Sequence, residues 1–236
     1  MFSVIHANHL EDLGTLALDV IRRHRQPPLV PETFLVQSNG MAQWLRLTLA
    51  EADGIAASVD FPLPSSFVWR AYRAVLGDDI PEQSPFDKTP LAWRLMALLE
   101  RCLDPETSPD DPTCYAPLRD YLQGEALEAS PLPGAAEEAR ERRRWHLAVR
   151  LADLFDQYLI YRPEWIEAWE RGEHAPADLP DDQRWQPALW RALIEDAPTA
   201  AREHHRARLH RRFLDAARGL RERPRNVPPR VFVFGI

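Results

Sequence analysis

Residues 34–50, FLVQSNGMAQWLRLTLA, have the order of a nucleotide site: a buried apolar strand, a turn holding a glycine, and an amphipathic helix. A phosphate-binding P-loop uses this layout with GxxxxGK followed by Ser or Thr. Its backbone N–H groups cradle the phosphates and its lysine neutralises them. Here the turn holds Ser38, Asn39 and Gly40, then Met41, Ala42 and Gln43, with no lysine. Two readings stay open: an ordinary β-α turn, or a helicase-like turn that has lost ATP and kept another task. Gln37 and Gln43 flank the turn. Either side-chain amide could cap local backbone, and either could read an adenine edge.

The chain has a single lysine, Lys88, within SPFDKTP. Asp87 precedes it and Glu82 stands six residues before it, so Lys88 is not a P-loop lysine. Phe86 occupies the position where a PD-(D/E)xK nuclease motif needs an acid. Farther on, Asp153, Asp156 and Gln157 fall near one face of a long helical pattern, with Arg162 just past its end. Carboxylates at i, i+3 could hold a metal or accept hydrogen bonds from base edges. An ordinary polar face opposite a leucine stripe reads the same way. Residues 202–230 carry ten arginines against three acids, Glu203, Asp215 and Glu222, a density suited to phosphates and also to a solvated helix face. His204, His205 and His210 match no common zinc spacing. No GxSxG motif and no Ser–His–Asp set stands out.

The elements that must position these residues follow from periodicity. FSVIHAN, 2–8, alternates like a strand, and HLEDLGTLALDVIRRHR has Leu10, Leu13, Leu16 and Val20 at helical spacing. TFLVQS is a strand-like run, and MAQWLRLTLAEADG is a helix closed by Gly54. ASVDFPLPSSFVW reads as extended, with Pro62 and Pro64 opposing a regular helix. This order favours a parallel α/β core. From about residue 66 the pattern turns helical: FVWRAYRAVL, LAWRLMALLERCL, then a helix ending EEARERRRWHLAVRLADLFDQYLIY, stopped by Pro163. The long helix carries a stripe of Leu147, Leu151, Leu154, Phe155, Tyr158 and Leu159. QPALWRALIED and HRARLHRRFLDAARGL are two more helices. Residues 104–138, rich in Pro, Asp, Glu and Ser, read as a solvated loop with a short helix inside. Trp44, Trp69 and Trp93 lie in apolar stripes and read mainly as core, with Trp69 following directly on the extended FPLPSSFV segment. VPPRVFVFGI is a strand signal on which the chain stops, as an N-terminal fragment of a larger protein would.

The expected fold class is therefore α/β. A parallel-sheet core is formed by 1–65 and 226–236 and is interrupted by a large, mostly helical insertion over 66–225. Net charge is −7, so any nucleic-acid contact must use a local patch rather than a general cationic field. Two cysteines, Cys102 and Cys114, argue against a disulfide framework and suit a reducing cytoplasm. No apolar run approaches the ~20 residues of a membrane span, so no membrane contact is expected.

Several segments together carry a resemblance: VIHANHLEDL, FLVQSNGMAQWL, GIAASVDFPLPSSFVW, SPFDKTPLAWRLMALL, ADLFDQYLIYRPEWIEAWE, RWQPALWRALIE and PPRVFVFGI. In this order they resemble the N-terminal region of the RecC family, the gamma chains of exodeoxyribonuclease V. The resemblance is most specific at 34–69 and 151–170. It implies a superfamily-1 helicase-like fold with a degenerate P-loop that no longer binds ATP, in agreement with the missing lysine. It also implies a non-catalytic subunit without cofactor or metal, in a heterotrimer with RecB and RecD that repairs double-strand breaks. The family channels the 3′-ended single strand and recognises the Chi sequence in it. Family Chi-reading positions fall on Gln37, Asn39 and Gln43 around the turn, and on Leu63 and Trp69 in the extended segment. On the long helix they fall on Asp153, Leu154 and Asp156, followed by Arg162 in YRP and Arg206 in HRARL. Asn39 stands where Thr is familiar; an amide reaches farther and has two donors, which alters what that position can read. A helical scaffold without DNA contact, and an autonomous NTPase or nuclease, are the competing readings.

Overall fold

A computed structural model of the chain describes residues 2–77, 80–104, 112–123 and 135–235. The first elements are α1 (Leu10–Arg23), β1 (Glu32–Leu35), α2 (Asn39–Asp53), β2 (Val59–Asp60) and α3 (Pro64–Leu76). Then come α4 (Lys88–Leu103), α5 (Ala116–Gln123), α6 (Ala135–Tyr161), α7 (Pro163–Glu170) and α8 (Trp185–Asp196). The four-residue α9 (Thr199–Arg202), α10 (Arg206–Arg218) and β3 (Val231–Val233) complete the order. Two compact units result, Met1–Ile80 with Asp215–Ile236, and Pro81–Leu214.

The first unit is α/β. Its three strands form a parallel sheet in the order β2-β1-β3, with Thr33 opposite Asp60 on one side and Val231 on the other. β1 is buried along its whole length, as a central parallel strand must be. Phe34 stacks on Phe61 and on Phe232, with ring centroids at 5.7 and 4.6 Å. α1 and α2 lay Leu18, Leu45 and Leu49 on this core. At its start α2 is capped by Ser38, whose hydroxyl accepts the Met41 N–H at 3.2 Å. Its end falls on Gly54 at φ 78°, a left-handed cap that a side chain would strain.

Two expectations fail here. Residues 2–8 form no strand: Phe2, Val4 and Ile5 are exposed, and no described strand pairs with them. Alternation alone cannot supply the hydrogen-bonding neighbour that a strand needs. The 57–69 segment is extended only through Leu63, because Pro64 opens α3 instead of opposing it. Proline suits the first helical turn, where its missing N–H would have no intrahelical partner.

The second unit is helical. Its core joins Leu91, Leu95 and Leu99 of α4, Leu151 and Phe155 of α6, Trp169 of α7, and Leu189, Trp190 and Leu193 of α8. α6 matches the long periodic pattern, though Leu154, counted in its stripe, is only half-buried. Pro163 ends α6 and opens α7 in the same step, so PEWIEAWE is a helix that the sequence reading passed over. Trp93 is not core: it is 61% exposed and meets Trp145 at 4.5 Å between ring centroids. Within the 104–138 segment a 3-10 turn (Pro112–Tyr115) leads into α5, and residues 105–111 and 124–134 lie outside the described residues.

Candidate nucleic-acid interface

Burial changes abruptly at the end of β1. Residues 32–36 are buried and residues 37–40 are exposed. The turn therefore stands at the carboxyl end of the central strand, the edge of a parallel sheet where α/β proteins place ligands. The Val36 N–H donates to the Pro62 carbonyl at 3.3 Å, which ties the chain leaving β1 to the chain leaving β2. Gln37 and Leu63 are thus the next residues out from two joined strand ends. On the other side the Phe234 N–H donates to the Leu35 carbonyl at 2.9 Å. Beyond it, a Cβ on Gly235 would lie 3.5 Å from both Met41 Cε and Leu10 Cδ1. The first turn of α2 therefore lies against the chain leaving β3.

Asn39, in the first turn of α2, and Gln43, one turn later, share a helical face and are exposed. Among the described residues, no hydrogen bond engages the side-chain amides of Gln37, Asn39 or Gln43. The local capping task belongs to Ser38 instead. A serine immediately before a helical pattern is a start signal, and it was legible in the sequence. Leu63 is the N-cap residue of α3 and half-buried. Trp69 is half-buried too and meets buried Tyr72 edge-on at 6.0 Å. That contact gives it a packing role.

In the second unit, the two carboxylates on α6 are held by different cations from different elements. Asp153 accepts from Lys88 Nζ at 2.5 Å and from Gln157 Nε2 at 3.4 Å. The Lys88 hydrogen bond and charge hold the Asp153 carboxyl below the usual carboxylate range and raise the Lys88 ammonium in return. Asp156 lies 3.7 Å from Arg206 Nη1, so two of the expected site residues meet. Among the described residues, no group of three or more His, Cys, Asp or Glu could hold an ion. Arg162 places its guanidinium 5.4 Å from the Trp165 ring centroid and donates to the Tyr161 carbonyl. Lys88 was singled out only for what it is not; its partner, 65 residues away, could be found only by folding.

The start of α10, and with it Arg206, is anchored by a polar cluster that spacing did not reveal. Glu170, at the end of α7, accepts from Trp190 Nε1 at 3.1 Å and from Arg208 Nη2 at 2.7 Å. The fully buried His205 brings Nε2 within 3.0 Å of Glu170 Oε1, close but out of line for a hydrogen bond. Its Nδ1 accepts the Arg208 N–H at 3.4 Å. Burial pushes the Glu170 carboxyl up, but His205 and Arg208 outweigh burial and hold it below the usual range. His205 and Arg208 flank Arg206 in sequence, so the cluster fixes the backbone from which Arg206 reaches Asp156.

Comparison with known proteins finds matches along the whole chain. The family model for the N-terminal domain of RecC matches residues 2–236. The chain is similar to the RecBCD enzyme subunit RecC of Escherichia coli (strain K12), 40% identical over 238 residues. That alignment takes in 100% of this chain and 19% of the relative. The RecBCD enzyme subunit RecC of Haemophilus influenzae is 36% identical, over 100% of this chain and 21% of its own length. The corresponding subunit of Mycobacterium tuberculosis is 32% identical over 98% of this chain and 19% of its own. The chain thus spans about a fifth of the length of the curated relatives it matches.

Proposed function

This chain belongs to the RecC N-terminal domain family, and from that premise we propose that it is a non-catalytic DNA-recognition part of a RecBCD-type helicase–nuclease. The fold we assign to its first unit is a superfamily-1 helicase-like domain whose nucleotide site has been emptied. The second unit takes the place of the helical insertion. Its partners are RecB and RecD subunits and the 3′-ended single strand, in which it reads the Chi sequence during double-strand break repair. Among the described residues, no helix is long and apolar enough to cross a membrane.

The observation that carries this reading is the end of β1. Three side-chain amides stand exposed and unengaged there, where a P-loop would hold phosphates, and no lysine accompanies them. An amide presents a donor and an acceptor together, the pattern needed to pair with an adenine edge. Single-stranded nucleic acid is otherwise held by stacking, the role we assign to the half-buried Trp69. On the second unit, Asp153, Leu154, Asp156, Arg162 and Arg206 are the corresponding contacts.

The test uses the full-length subunit assembled with its partners. Gln43→Ala and Asp156→Ala should each weaken the response to Chi and leave unwinding largely intact. An undiminished Chi response in both variants would refute the reading and leave the chain as a scaffold for its partners. Nucleotide turnover or metal-dependent cleavage by the purified chain alone, abolished by a point substitution in it, would refute its non-catalytic part.

A further inference from the structure

We propose that Arg46 holds a phosphodiester of the bound strand, with the ring of Phe61 as the seat of its guanidinium. The proposal rests on the reading that Asn39 and Gln43 face DNA, and it assigns the backbone contact which those two residues cannot make.

Arg46 is the one basic residue of α2. Asn39, Gln43 and Arg46 stand at i, i+4 and i+7, all exposed, which places them on one helical face about one turn apart. Several arginines of the same unit are committed to acids: Arg22 to Asp53, Arg23 to Asp19, Arg70 to Asp60 and Arg230 to Glu32. Among the described residues, no carboxylate pairs with Arg46. Its guanidinium carbon lies 5.2 Å from the centroid of the Phe61 ring.

That seat is rigid. Phe61 follows edge strand β2 and stacks on Phe34, a fully buried side chain, with an interplanar angle of 23°. The next residue, Pro62, is tied by its carbonyl to Val36. A guanidinium lying over an aromatic ring keeps its N–H donors directed outward in a planar fork, and the stacking limits the rotamer freedom lost on binding. A planar fork with no acid in reach matches two oxygens of a phosphate.

Charge makes the contact needful. The chain carries −7 overall, and its single lysine lies in the other unit. Amides at the turn supply specificity but no attraction for a polyanion. A cation one turn beyond Gln43 supplies that attraction where the bases are read, and phosphate contacts fix register without themselves reading sequence.

The experiment measures affinity of the assembled full-length complex for single-stranded oligonucleotides with and without Chi across a salt series. Arg46→Ala should flatten the plot of log affinity against log salt by about 0.7, the slope carried by one phosphate contact on single strands. The loss should be equal on both oligonucleotides, and Arg46→Lys should restore most of the slope. Arg46→Gln keeps a stem against Phe61 and should behave as Arg46→Ala does. A slope change in Arg46→Ala alone would mean lost packing and would overturn the proposal. An unchanged slope in Arg46→Ala and Arg46→Gln, with discrimination lost in Gln43→Ala, overturns the Arg46 contact and leaves the base-reading proposal standing. A flattened slope with full discrimination in Gln43→Ala does the reverse.

Discussion

Glu170→Gln should destabilise the helical unit by about 2–3 kcal/mol while keeping its packing volume. The amide oxygen can still accept the Trp190 N–H, which lies 3.1 Å from the carboxylate in the native chain. What disappears is the negative charge that Arg208 meets through two N–H groups at 2.7 and 3.0 Å and that lies beside buried His205. Charge-assisted hydrogen bonds contribute about 1.5–3 kcal/mol each where buried. Arg208 is a third exposed, so solvent screening reduces its share and the total stays near the lower end of a double loss. For a chain of this size that corresponds to a fall in Tm of roughly 5–10 °C. Thermal unfolding followed by tryptophan fluorescence would measure it, since Trp169 and Trp190 sit in this core. The pH dependence separates charge from shape. A carboxyl depressed in the folded state contributes stability that is complete above its unfolded value, roughly pH 4.3, and is lost as pH falls through the folded value. The gap between native and Glu170→Gln should therefore be full near neutrality and close in acid. A Tm change below about 2 °C at neutral pH, or a gap that persists undiminished into acid, would refute the reasoning. Because the cluster fixes the start of α10, the variant should also loosen Arg206 from Asp156 and lower the Chi response in the assembled complex.

Two other perturbations address the candidate interface. Lys88→Ala should let the Asp153 carboxyl rise toward the ordinary aspartate range, so that its negative charge is lost at a higher pH than in the native chain; a carboxyl-resolved NMR titration would report it, and an unmoved midpoint would show that the ion pair does not form in solution. Ser38→Ala removes the N-cap of α2 and should cost about 1 kcal/mol in denaturant unfolding, with a change below a few tenths of a kcal/mol counting against the cap.

The two kinds of residue in the candidate interface differed in how legible they were. Gln37, Asn39 and Gln43 could be placed from sequence because a strand, a turn and a helix are local. Five consecutive buried residues ending at Val36 dictate where the chain must surface. The 2–8 alternation misled for the opposite reason: a strand is completed by a partner, and residues 2–8 have none in the described sheet. Pro64 misled because the same ring that forbids a helix interior favours its first turn. Trp93 shows the limit of stripe counting, since helical spacing groups residues on a face but does not say whether anything covers it.

Sequence by itself determined the absence of a P-loop lysine, the polar turn after a buried strand, the long helix with Asp153 and Asp156, and the family. Each rests on residue identity or on periodicity within one element. Only the tertiary structure decided which cations meet those acids, and that Glu170 and His205 anchor the helix bearing Arg206. Those contacts join residues as far apart as Lys88 and Asp153. Their energies depend on distance and burial, which a linear pattern does not encode. Folding also set Arg46 over Phe61. The turn without a lysine was visible in the letters, and the charge standing beside it became visible only when the sheet brought the ring beneath the arginine.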